Sequence, residues 1–126
     1  MISIVFKDFV LDDAPMERFV FSGGGNRIEL SVDDDNGRRH SFRFEGVSAF
    51  KYHPSDCFDR DPFYVGGIYR KTILLLKESE WVVELNRRES EQLEPVSNNL
   101  NHYLMPSDEG VYELLARSIA KVESDE

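Results

Sequence analysis

The chain has 126 residues, with 15 Lys and Arg against 24 Asp and Glu, a formal net charge of −9. Hydrophobic residues at 40% and aromatics at 12% suffice for one core, so a single domain over residues 1–126 is expected. The balance argues against a membrane-spanning, collagen-like, disordered or disulfide-stapled chain, and against nucleic-acid binding, because an acidic surface repels phosphate.

The opening residues carry no basic start and no small-residue cleavage site. Lys7, Asp8, Asp12 and Asp13 interrupt any apolar run long enough for a signal peptide. A single cysteine, Cys57, cannot form an internal disulfide, which fits a reducing compartment. The expected location is the cytoplasm, without membrane contact.

Alternation of apolar residues dominates the first half. Ile2, Ile4 and Phe6 share one face of a strand, Phe19 and Phe21 mark a second, and Ile28, Leu30 and Val32 mark a third. With Gly24-Gly25 as a two-residue turn, Phe21 faces Ile28 and Phe19 faces Leu30, which predicts one buried face. At the next turn, a three-residue loop Asn36-Gly37-Arg38 would pair Val32 with Phe42 and Leu30 with Phe44. It also sets Asp34 beside His40. The fourth strand continues past Gly46, read as a bulge, into Val47, Ala49 and Phe50. Residues 53–62 hold two prolines and three aspartates and read as a loop. Thr72 to Leu76 reads as a strand buried on both faces.

Ser79 fits a helix N-cap, Glu80 complements the helix dipole, and good helix formers run to Glu94 before Pro95. The principal helix is therefore expected over 79–94, with Trp81 and Leu85 sharing its sheet-facing side. The last segment, 111–122, fits two periods. Val111, Leu114, Leu115, Ser118, Ile119 and Val122 recur at helical spacing, whereas Tyr112, Leu114, Ala116, Ser118, Ala120 and Val122 alternate as a strand opposite Asn101 to Met105.

The C-terminal half carries a resemblance. Ser79-x-Trp81 opening a helix, then His102-Tyr103, Asp108 and Tyr112-Glu113-Leu114-Leu115-Ala116, resembles the end of small uncharacterised bacterial domains of unknown function. Some of these look similar to immunity proteins of toxin competition systems. The resemblance spans roughly residues 68–122 and implies a closing hairpin with Ser107 to Gly110 as its turn. Leu104 would then face Glu113, with His102 and Glu113 diagonal on one face and Tyr103 on the other.

Familiar chemistry is mostly missing. Asp33 to Gly37 lacks the glycine and glutamate positions of a calcium loop, and one Cys with one His around residues 53–57 under-supplies a zinc site. Gly23-Gly24-Gly25 lacks the lysine of a phosphate loop, and no hydrolase or dinucleotide fingerprint occurs. No cofactor, metal or catalytic set is expected. His102 with Glu113 could pass a proton, although a histidine bonded into structure beside a solvated glutamate is the commoner outcome.

These readings converge on an α+β domain: a mainly antiparallel sheet of about six to eight strands in hairpins, curled or sandwich-like, with the helix at 79–94 over it. The expected function is non-enzymatic: an acidic protein-interaction module, immunity-like, that binds a basic protein partner. The alternative is a small-ligand or weakly catalytic domain with a pocket near the 53–69 loop and His102. Candidate residues are Asp33, Asp34, Asp35, His53, Asp56, Tyr64, Tyr69, His102, Tyr103 and Glu113. Acidic runs at Asp12-Asp13, Asp33 to Asp35, and Asp59 with Asp61 carry the interaction reading.

Overall fold

A computed structural model describes residues 2–54, 58–90 and 100–122, apart from the side chains of residues 86 and 88–90. In chain order, its strands are β1 (Ile2–Ile4), β2 (Arg18–Ser22), β3 (Arg27–Asp33), β4 (Arg39–Glu45), β5 (Ala49–Pro54), β6 (Tyr64–Val65), β7 (Ile68–Tyr69) and β8 (Leu74–Leu76). Helix α1 (Glu80–Ser90) follows, then β9 (Asn101–Pro106), β10 (Gly110–Ala116) and β11 (Ser118–Val122). The expected α+β class is thus corrected to a nearly all-β one. Among the described residues the one α-helix is α1, and the rest of its expected span, with Glu94 and Pro95, lies outside them.

A five-stranded sheet in the order β1-β8-β9-β10-β5 stacks on a four-stranded sheet in the order β11-β4-β3-β2, and every pairing is antiparallel. Between them lie Ile28, Leu30, Val32, Phe42 and Phe44 from one sheet, and Ile73, Tyr103, Met105, Leu114 and Ala116 from the other. The five-stranded sheet is also covered on its second face, where Phe63 from the 58–69 segment packs on Leu74, Leu104 and Val111. This double cover explains the ambiguous period of the last segment: strands buried on both faces read as continuous apolar runs. The alternation is the correct reading, and the run breaks at Arg117, where the chain passes from one sheet to the other as β10 becomes β11.

Register follows the apolar pattern, and turn chemistry adjusts the details. Phe21 pairs with Ile28 and Phe19 with Leu30 as expected, but the last pair is Ser22 with Arg27, so the loop is the four residues 23–26. The face is buried only in part: Phe21 is 56% exposed, because β2 is an edge strand. Val32 pairs with His40 and Leu30 with Phe42, two residues from the expected register. The loop is Asp35-Asn36-Gly37, since its last position needs positive φ and Gly37 supplies it at 78°. Gly46 is no bulge within one strand; the chain leaves one sheet there and enters the other as β5. His53 and Pro54 end β5 instead of opening a loop, while residues 55–57, with Asp56 and Cys57, lie outside the described residues.

Ser79 caps α1 as expected, its Oγ accepting from the Val82 N–H at 3.2 Å. Trp81 is only half-buried, edge-on to His102 at 5.4 Å between ring centroids, with Lys51 Nζ 3.8 Å from its ring centroid on the sheet. Trp81→Ala should therefore cost about 1–2 kcal/mol in urea unfolding, below the 3–5 kcal/mol of a fully buried tryptophan. A loss in the full range would mean that the helix depends on this side chain as its main anchor.

Candidate functional site

Two polar regions stand out on this scaffold. The first is a groove of about 190 Å³ at one end of the sandwich, lined in part by Asp12, Asp13, Asp108, Arg60, Tyr69 and Lys71. Asp12 and Asp13 line it, and the 33–35 run borders them. The Asp12 N–H donates to the Asp33 carbonyl and the Asp35 N–H to the Val10 carbonyl, which sets the 12–13 and 33–35 runs side by side. The turn between β9 and β10 adds Asp108. The groove's cations are already engaged. Lys71 pairs with Asp13, whose bond and charge push the ammonium above its ordinary value and hold the carboxyl below its own. Arg60 donates to the Tyr69 hydroxyl at 2.8 Å. Asp33 is held by Arg39 at 2.9 Å, whereas Asp12, Asp35 and Asp108 have no ion pair among the described residues.

Asp34 does not belong to this surface. It is 8% exposed, accepts from the Asn36 and Arg38 N–H groups at 2.9 Å each, and bonds His40 at 2.7 Å. The His40 bond and the Arg38 N–H hold its carboxyl below the usual range. It is the peg of the hairpin turn, and it meets His40 by a side-chain bond although His40 pairs with Val32 and not with Asp34. Removing it would undo the turn.

The second region is a hydrogen-bonded chain on the covered face of the five-stranded sheet. The β9–β10 register sets Leu104 opposite Glu113 and His102 opposite Leu115, as expected. His102 Nε2 lies 2.7 Å from Glu113 Oε1, and its Nδ1 lies 2.6 Å from Ser79 Oγ. From β5, His53 bonds the other oxygen of the same carboxylate. These partners assign the tautomer: Nε2 carries the proton toward Glu113, and Nδ1 accepts the Ser79 hydroxyl proton. Burial pushes the Glu113 carboxyl up, but the hydrogen bonds from His102 and His53 outweigh it and hold it below the ordinary value. His102 and Ser79 are buried, and only His53 reaches solvent, beside Phe58. The chain therefore ties the start of α1 to β9, β10 and β5.

Of the remaining candidates, Tyr103 faces the core between the sheets, where burial raises its hydroxyl pKa. Tyr69 lines the acidic groove, Tyr64 is exposed beside it at the β6–β7 hairpin, and Asp56 lies outside the described residues. Sequence reasoning saw Ser79 only as a cap and missed its bond to His102. It also missed Asp108 as a groove residue, whose one signal was its place in the closing turn. Among the described residues no group of three or more His, Cys, Asp or Glu could hold a metal, and no helix is long and apolar enough to cross a membrane.

Since Glu113 and Asp34 have folded pKa values below their unfolded ones, their stabilisation is full above about pH 5 and is lost as pH falls through the carboxylate range. Urea midpoints should be level near neutrality and drop below about pH 4.5, less steeply in Glu113→Gln. A midpoint that rises toward acid would contradict the network.

No protein-family model matches the sequence, and no curated protein matches it. An uncharacterized protein from Neisseria gonorrhoeae, known from its crystal structure, is similar in fold, with a TM-score of 0.52 at 14% identity. The match covers 98% of this chain and 99% of that one. At that identity the likeness concerns the fold alone.

Proposed function

We propose that the protein is a non-enzymatic interaction module whose acidic groove receives a basic protein partner, in the manner of an immunity protein that neutralises a cationic toxin. One observation carries this reading. Acidic runs separated by tens of residues in sequence converge on one end of the fold, where Asp12, Asp35 and Asp108 make no direct ion pair among the described residues and Asp13 takes the nearby Lys71. A negative concavity raises the local concentration of a cationic partner and speeds encounter. The test is calorimetric titration of purified products of the neighbouring genes against the wild type and an Asp12→Asn, Asp13→Asn, Asp35→Asn, Asp108→Asn variant. A basic product should bind the wild type and lose at least about tenfold in affinity with the variant. Binding by none of them, or equal binding to both forms, would contradict the reading.

The His53–Glu113–His102 chain favours a second reading, a small-ligand site opening at His53. Thermal melting against small acids, nucleotides and divalent metals tests it: a saturable upward shift abolished by His53→Ala supports it, and no shift removes it.

A further inference from the structure

The sandwich has two flanks, and only one is covered among the described residues. On the β1 and β11 flank, the segment 5–11 packs inward, with the Phe6 and Phe9 rings each 4.9 Å from Phe42. On the other flank, the edge strands β2 and β5 lie over one another and an aromatic ridge spans the opening. Phe21 and Phe19 lie 5.6 and 5.1 Å from Phe50, Phe19 lies 4.6 Å from Tyr112, and Tyr52 lies 4.9 Å from Tyr112. Phe21 is 56% exposed and Val20 44%.

Edge strands invite pairing, and proteins blunt them with short length, proline or lysine. Here β1 has three residues, β11 carries Lys121, and β5 carries Lys51 and ends at Pro54. β2 presents Phe-Val-Phe between Arg18 and Ser22 and has neither proline nor lysine. One end of the ridge is acidic. The Tyr112 hydroxyl donates to Glu17 at 2.8 Å, and burial, Glu17 and Glu109 raise its pKa. Glu17 and Glu109 are also continuous with the groove, since the segments that bear them supply Asp13, Pro15 and Asp108 to its wall.

We propose that β2 is the docking edge for an extended segment of a partner protein, apolar at alternate positions and basic at the end that lies over Glu17 and Glu109. The segment adds a strand to the four-stranded sheet: its backbone bonds the open edge, and its inward side chains cover Phe19, Phe21 and Phe50. A second copy of this chain fits poorly. Each copy carries −9, and antiparallel self-pairing centred on Val20 sets Glu17 opposite Gly23, with no base to meet it. The proposal rests on the interaction reading above and specifies how the partner is held.

The probe is a synthetic peptide of about nine residues, alternating Val and Thr, with two lysines at either its N- or C-terminal end. NMR titration should shift the amides of β2, and one of the two lysine placements should bind more tightly. N-methylation of alternate amides, in at least one of the two phases, should weaken binding at least about tenfold, because it removes the backbone bonds. Phe21→Ser should do the same, and Glu17→Gln with Glu109→Gln should cost about three- to tenfold and flatten the salt dependence. Binding indifferent to N-methylation and to Phe21→Ser overturns the edge proposal. So does a dimer of the free protein, seen by light scattering, that Phe21→Ser dissolves. If a gene-neighbour partner loses affinity with the groove variant but not with Phe21→Ser, the groove reading stands and the edge proposal falls. Loss with Phe21→Ser alone leaves the edge and removes the groove.

Discussion

Glu113→Ala should destabilise the protein by about 2–4 kcal/mol, measured as a shift of the urea midpoint at neutral pH. The carboxylate accepts from two imidazoles at once, one of them on a histidine only 4% exposed. Truncation leaves the His102 N–H without its acceptor inside the protein, which costs about 1–3 kcal/mol, while His53 can turn to water and loses less. A cavity adds to this. Glu113→Gln is the informative companion, because its amide still accepts from His102 and can face His53 with its NH2 group. It should cost only about 1 kcal/mol. Equal losses in both variants would mean that packing, and not the hydrogen-bonded chain, fixes this face.

Phe42→Ala should cost about 3–5 kcal/mol, the largest effect of any single substitution considered. Its side chain is fully buried between the sheets and holds Phe6 and Phe9 of the segment that leads to Asp12 and Asp13. Loosening it should reach the groove as well as the core. Hydrogen exchange at Leu11 and Asp12, whose amides bond Lys71 and Asp33, should speed up more than global destabilisation alone accounts for. Uniform acceleration across β3 and β10 would mean that the segment follows the core and has no separate tether.

The alternation of Phe19, Phe21, Ile28 and Leu30 was legible because a period of two leaves one answer for which face is buried. The turns were harder. A three-residue loop was the right length, but only the need for positive φ at its last position separates Asp35-Asn36-Gly37 from a loop one residue later. The fold class was misjudged because α1 read clearly while its weight in the fold did not; helix signals say where a helix starts, not how many strands surround it. The pairing of His102 with Glu113 was accessible from hairpin register. The addition of His53 was not, because it depends on β5 pairing with β10 across about sixty residues. The acidic groove was half-visible. The runs of aspartate were plain, but their convergence depends on residues 10–12 bonding to 33–35, a contact between distant parts of the chain.

The central claim is that unpaired acid at one end of this fold recruits a cationic partner. Stopped-flow association between the protein and its highest-affinity gene-neighbour partner, at low and at physiological salt, tests it most directly. The rate should fall steeply as salt rises, since exposed charges more than about 8 Å apart are screened at physiological ionic strength. The Asp12→Asn, Asp13→Asn, Asp35→Asn, Asp108→Asn variant, which spares the Asp34 peg, should associate more slowly at low salt and respond little to added salt. An association rate indifferent to both salt and these substitutions would contradict the account.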